Sequence, residues 1–291
     1  MLEVRKILSE WREEMIRLVD RAALMEFVHK RRKATGGYGA TPRLPATIQD
    51  TFQAVAIRLV LGEDAPSPQS EPALAGYLAR MLAVPWLGID TTFRLLITCH
   101  ICGLAMDVAR LRAHLAACLS RDVSLAATYY VRRIFTEILE EPESLDPQRP
   151  VALPARCAVE DAARYLFVKA TGEQQIEEAG ELTGWLQRSQ NGDGGFGFFP
   201  GTTSFIENCH AALAGLSLLG AKPLDPDNAR AFILSCQTGS GGFGRSQRAA
   251  PFLDASWHGV ASLRLLEEME RQQAGVLLET SNRQSRLIFS V

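Results

Sequence analysis

The chain repeats itself. Gln190–Gly197 reads Q-N-G-D-G-G-F-G, and Gln237–Gly244 reads Q-T-G-S-G-G-F-G, 47 residues on (190 to 237). After a short variable loop each is followed by an apolar helical stretch, A-A-L-A-G-L-S-L-L at Ala211–Leu219 and G-V-A-S-L-R-L-L at Gly259–Leu266. A third copy stands early: G-G-Y-G at Gly36–Gly39, then A-V-A-I-R-L-V-L-G at Ala54–Gly62. Self-similarity at this period means stacked helix pairs, none of which can bury its apolar face alone. The glycines have a physical reason, since a G-G-F-G turn needs positive φ and its aromatic plugs the space between pairs. The motif is thus scaffold, with its glutamine bonding backbone at a helix end. Function must lie in what the helices enclose.

Composition excludes several classes. The net charge is -2, the pI is near 6.2, and lysines and arginines are scattered, without the basic stripe a nucleic-acid footprint needs. No apolar run reaches the ~18 residues of a membrane span; the best, Leu95–Met106, contains Cys99 and His100. The mixed-charge N-terminus, M-L-E-V-R-K-I-L-S-E-W, is unlike a signal or transit peptide. Six cysteines in apolar surroundings do not make a disulfide scaffold and point to a reducing cytoplasm. Cys99-His-Ile-Cys102 is a lone C-x-x-C inside a helical pattern, read as a pair of buried thiols.

Along the chain, residues 1–35 read as N-terminal amphipathic helices. Residues 36–271 read as one repeat domain, with a proline-rich hinge near 142–154, and 272–291 as a C-terminal tail. Thr47 caps a helix running to about Leu61, and Asp225-Pro226-Asp227-Asn228 opens another with cap and proline in place. Further helices are expected near 72–84, 90–107, 108–119, 124–141, 157–170, 176–189, 226–237 and 252–271. No segment sustains a period of two. The fold class is all-α: paired antiparallel helices, in an open solenoid or a closed ring.

The word Q-x-x-x-G-x-F, carried by Gln190, Gly194 and Phe196 and again by Gln237, Gly241 and Phe243, resembles the repeat of the squalene cyclase and protein prenyltransferase superfamily. Arg230–Arg245 (R-A-F-I-L-S-C-Q-T-G-S-G-G-F-G-R) and Gly36–Val55 look like repeats of protein prenyltransferase β subunits. The resemblance covers about 183–268 and 36–62. It implies an α/α toroid whose inner helices line a central, aromatic-walled cavity. It also implies transfer of an isoprenoid from its diphosphate to an acceptor, such as a thiol, with a catalytic zinc.

Such β subunits hold zinc through an Asp-x-Cys pair and a histidine one repeat later. The positions that could take these roles here are Glu207, Cys209 and His258, with His210 as a competitor for the imidazole. Carboxylate, thiolate and imidazole make a coherent zinc set with one position open. The resemblance places the diphosphate on a loop arginine, first Arg245, then Arg248 and Arg43, and the prenyl chain on Trp257, Phe243, Phe196 and Tyr130. A separate helical α-type partner, or a second copy, would complete the assembly.

Two alternatives remain open. One is a metal-free isoprenoid-binding or cyclase-like toroid, although the cyclase word Asp-x-Asp-Asp is approached only by Asp225-Pro226-Asp227-Asn228, which reads as a helix start. The other is a non-catalytic helical-repeat interaction scaffold.

Overall fold

The computed structural model describes residues 19–86, 88–122, 124–141 and 151–273. Among them are eleven α-helices and isolated β-bridges but no strand. In chain order the helices are α1 (Arg21–His29), α2 (Ile48–Val60), α3 (Pro72–Ala83), α4 (Ile89–Ile101), α5 (Val108–Arg121), α6 (Leu125–Arg133), α7 (Val159–Thr171), α8 (Ala179–Arg188), α9 (Ile206–Leu218), α10 (Pro226–Ser235) and α11 (Leu253–Gln273). A π-helical turn, Ile134–Ile138, extends α6. The Trp11 segment, most of the 142–154 hinge and residues 274–291 lie outside the described residues.

Six of these helices form a closed inner ring. α2 packs on α4, α4 on α6, α6 on α7, α7 on α9, α9 on α11, and α11 returns to α2. The choice left open by periodicity, ring or solenoid, is settled in favour of the ring. The inner helices are apolar around much of their circumference, as a buried helix must be: ten of the thirteen residues of α2, Thr51 to Val60, are buried, and so are most of those in α9. α1, α3, α5, α8 and α10 form an outer layer. Each buries only a stripe, such as Leu74, Tyr77 and Leu78 of α3 or Leu182 and Leu186 of α8.

The glycine loops are the joints. Gly36, Gly194 and Gly241 have φ of +85°, +87° and +92°, a region that costs other residues energy. A Cβ on each would lie 2.0–2.1 Å from a carbonyl oxygen in the first turn of the next outer helix: Ala73, Asn228 and Ala23 respectively. The aromatic that follows (Tyr38, Phe196, Phe243) is fully buried. Gln190 accepts from the Asp225 N–H (2.9 Å) and donates to the Asp225 carbonyl (2.7 Å) at the N-cap of α10. Gln237 makes the same pair of bonds, both 3.1 Å, with Asp20 at the N-cap of α1. α1, in the segment the sequence sets apart as 1–35, therefore packs as the outer helix that follows the last loop. In the first copy an ion pair does this work, Arg32 with Glu71 at 3.1 Å.

Cys99 and Cys102 sit in a second core cluster with Val55, Leu59, Leu74, Leu78 and Leu95. Burial raises both thiols to about 12. They are inert packing groups.

Candidate functional site

The six inner helices begin with the same register. They open I-Q-D-T-F-Q (from Ile48), I-D-T-T-F-R (Ile89), L-A-A-T-Y-Y (Leu125), V-E-D-A-A-R (Val159), I-E-N-C-H-A (Ile206) and L-D-A-S-W-H (Leu253). The first residue is apolar and enters the core. The fourth is small or hydroxylic, and in the glycine-loop copies it has one job. Thr51 Oγ1 accepts from the Tyr38 N–H (3.0 Å), Ser256 Oγ from the Phe243 N–H (2.9 Å), and the Cys209 thiol from the Phe196 N–H. The fifth and sixth residues supply most of a central layer.

That layer encloses a cavity of about 90 Å³, lined by Phe52, Gln53, Phe93, Arg94, Tyr130, Arg133, Glu160, Asp254, Trp257 and His258. Glu160 and Asp254, second residues of their helices, are about half exposed, so the mouth lies at the N-terminal ends of the inner helices. The aromatic wall is continuous: Trp257 meets Phe52 edge-on (centroids 5.7 Å apart), Phe52 meets Phe93 (6.4 Å), and Phe93 meets Tyr130 (5.7 Å). The enclosed volume is well below the roughly 300 Å³ at which drug-sized pockets begin. It is too small to enclose a whole drug-sized molecule.

The floor is charged. Arg133, in the third turn of α6, donates to both Glu137 oxygens (2.7 and 3.0 Å) and to the Tyr129 hydroxyl (3.0 Å), and lies 4.2 Å over the Phe93 ring. Arg133 and Glu137 are both buried, at the junction of α6 with its π-helical turn. Burial pushes the Glu137 carboxyl up and the Arg133 guanidinium opposes it. Breaking such a pair costs far more than making it gains. Arg94 pairs with Asp90 (2.9 Å), and Arg164 with Glu160.

On the opposite wall His210 and His258 face each other through their Nδ1 atoms at 2.8 Å, so one ring donates and the other accepts. Burial lowers the pKa of His258, with Asp254 as the largest opposing influence. Asp254 accepts from Gln49 (3.3 Å) and Gln53 (2.5 Å), a polar link where α11 closes on α2. Among the described residues the Gln53 Oε1, an acceptor beside the cavity, is buried without a hydrogen-bond partner.

Of the residues singled out from sequence, Trp257, Tyr130 and His258 line this cavity. Phe243 and Phe196 do not; they are loop plugs, and Phe243 packs where a Cβ on Gly259 would sit. Arg43 and Arg248 are exposed on loops outside the lining. Arg245 pairs with Glu207 and lies 4.0 Å over the Phe205 ring.

The zinc set does not fit these residues. Among the described residues no group of three or more His, Cys, Asp and Glu side chains is placed to hold a metal ion. The Cys209 thiol is fully buried and receives the Phe196 backbone N–H. Glu207 is engaged by Arg245, and the His258 Nδ1 by His210.

Sequence reasoning missed Phe52, Gln53, Phe93, Arg94, Arg133 and Glu160. The signal was the six-residue opening word of the inner helices, which continues through the middle of the chain after the glycine loops have gone.

A closed ring of inner helices, wrapped by outer helices and open at one end into a mixed aromatic and charged cavity, defines an α/α toroid. The chain belongs to the prenyltransferase alpha-alpha toroid domain family, whose sequence model matches residues 1–128 and 157–287. No curated protein matches it. No described helix is long and apolar enough to cross a membrane.

Proposed function

We propose that this toroid binds an isoprenoid compound without a metal, taking the polar end of the ligand into the cavity and laying the apolar chain across the mouth. The observation that carries this reading is the aromatic wall of Trp257, Phe52, Phe93 and Tyr130 above a charged floor. The loops around the same end leave Leu44, Phe198, Phe199 and Phe252 substantially exposed, apolar surface for the part of the ligand that a small cavity cannot hold. Family membership supports the isoprenoid class, and the buried, hydrogen-bonded thiol of Cys209 favours metal-free binding over zinc-dependent transfer.

Titrating the full chain with farnesyl and geranylgeranyl diphosphate, followed by calorimetry and tryptophan fluorescence, tests the reading. Saturable binding, unchanged by a chelator and weakened about tenfold or more by Trp257→Ala, is expected, in line with the ~1.5–3 kcal/mol of a buried large side chain. Loss of binding on chelation would return the zinc-dependent transferase to the front. Absence of binding to either compound would leave an interaction scaffold.

A further inference from the structure

A cluster of metal-seeking side chains lies outside the cavity lining. His114 and Cys118 stand one turn apart on α5, and the Cys118 Sγ lies 3.4 Å from the His114 Nε2. The same nitrogen lies 3.3 Å from the Thr92 Oγ1 on α4. Trp86 packs T-shaped against the imidazole, ring centres 5.2 Å apart, and its indole N–H is buried without an acceptor among the described residues. His114 and Cys118 are half-buried, so solvent reaches both.

Hydrogen bonding explains only half of this arrangement. An imidazole nitrogen carries one lone pair or one proton in the ring plane, so Nε2 can serve the thiol or the hydroxyl but not both. A metal ion takes that lone pair and gathers the other atoms beside it. Zn–S of about 2.3 Å and Zn–N of about 2.0–2.1 Å at a tetrahedral angle set sulfur and nitrogen about 3.5 Å apart; the observed gap is 3.4 Å. Two ligands four positions apart on one helix face is the spacing that helical zinc pairs use. Burial, with Arg110 and Arg121, lowers the His114 pKa and keeps the imidazole neutral, as a ligand must be. Burial keeps Cys118 a thiol, with Arg121 and Asp122 pulling in opposite directions, so an arriving cation must displace its proton.

We infer that His114 and Cys118 form a site for a thiophilic divalent cation such as Zn2+ in the outer layer of the ring, with the Thr92 hydroxyl beside the ion and water completing its coordination. Binding forms a metal–sulfur and a metal–nitrogen bond, breaks the S–H bond and releases its proton to solvent. The ion draws α5 towards Thr92 of α4, in the stretch that lacks the glycine loops. The site is separate from Glu207, Cys209 and His258 on α9 and α11, and it does not rest on the function proposed above.

The probe is Cd2+, a zinc surrogate whose thiolate complexes absorb in the ultraviolet, titrated into the full chain after it has been stripped of metal and reduced. Circular dichroism confirms that each variant is folded. Wild-type protein should give the cadmium–thiolate absorption and release about one proton per ion bound. Cys118→Ala should abolish the absorption, and His114→Ala should weaken binding about tenfold or more. Excess Zn2+ should raise the thermal midpoint of wild type and not that of Cys118→Ala. Cys157→Ala, which removes another half-buried thiol, and Cys209→Ser should leave the titration unchanged. No absorption in wild type, its persistence in Cys118→Ala, or indifference to His114→Ala would each overturn the site. So would loss of the signal in Cys209→Ser with Cys118→Ala unaffected, which would return the metal to the cavity set. Isoprenoid binding by Cys118→Ala should match wild type, so either conclusion can fail alone.

Discussion

The glycine-loop copies, around α1–α2, α8–α9 and α10–α11, and the stretch from α4 to α7 build parts of one ring by different means. In the first region a loop glycine, a buried aromatic and, in the last two copies, a glutamine fasten each pair to the next outer helix, down to backbone contact. In the second that loop is missing, and the ring is held by inner-helix packing and by charge, above all the Arg133–Glu137 pair. The loop-fastened region supplies Trp257, His258, Gln53 and Asp254 to the cavity. The stretch from α4 to α7 supplies Arg94 and Arg133 to the lining, and Arg164 lies beside Tyr130.

The largest effect should come from breaking a joint. Gly241→Ala places a Cβ 2.1 Å from the Ala23 carbonyl at positive φ, and should cost about 3 kcal/mol or more in urea unfolding. Gly103, between α4 and α5, also has positive φ (+70°) but open space where a Cβ would go, so Gly103→Ala should cost only about 1 kcal/mol. Equal losses would mean that the loops supply conformation alone and not fastening.

A smaller effect sharpens the role of the fourth inner-helix residue. Cys209→Ser, which restores the hydroxyl found at Thr51 and Ser256, should change stability by less than about 1 kcal/mol. Cys209→Val, which orphans the buried Phe196 N–H, should cost about 1–3 kcal/mol. A damaging serine with a harmless valine would refute the hydrogen-bonding role.

The smallest contrast concerns two acids. Glu137 is held at 2.7 Å by its arginine, whereas Glu267 on α11 lies 3.6 Å from Arg264 and has a buried oxygen without a hydrogen bond. Burial raises the Glu267 carboxyl from 4.5 to about 7. A folded-state pKa above the unfolded one stabilises at low pH: the contribution is complete below about 4.5 and is lost as pH rises through about 7. Glu267→Gln should therefore gain on wild type as pH rises from about 5 to about 7, by roughly 1 kcal/mol for each pH unit, and level off by about pH 8. A flat difference over that range would mean the carboxylate ionises at its ordinary pH.

Much of the architecture was legible because it is written in local rules. Thr47 caps α2 through the Asp50 N–H, and Asp225 caps α10 through the Asn228 N–H, as their positions before apolar runs predict. The loop glycines and glutamines also do what their chemistry requires. Ring closure was legible through the family resemblance and not through periodicity, because contact between α11 and α2 joins residues some two hundred positions apart and leaves no periodic mark. The cavity was legible only in part. Trp257, Tyr130 and His258 stand out as rare residue types on apolar helices. Arg94 and Arg164 look like solvated arginines on i,i+4 pairs, and only the ring turns them inward. Cys209 and His258 have the spacing of ligands one repeat apart, yet their places in the register, fourth and sixth, give the thiol to a backbone N–H and the imidazole to the cavity.

The bond between Gln237 and Asp20 spans 217 positions. During synthesis α1 emerges long before the loop that receives it, so Phe27, which packs against Gly242 of that loop, lacks this cover while nearly the whole domain is made. The closure of α11 on α2, where Asp254 meets Gln49 and Gln53, waits as long. Folding of the complete ring should thus be gated by its last contact, a high-contact-order step. Until that step, the unfinished protein exposes a surface that invites chaperones or another copy of itself.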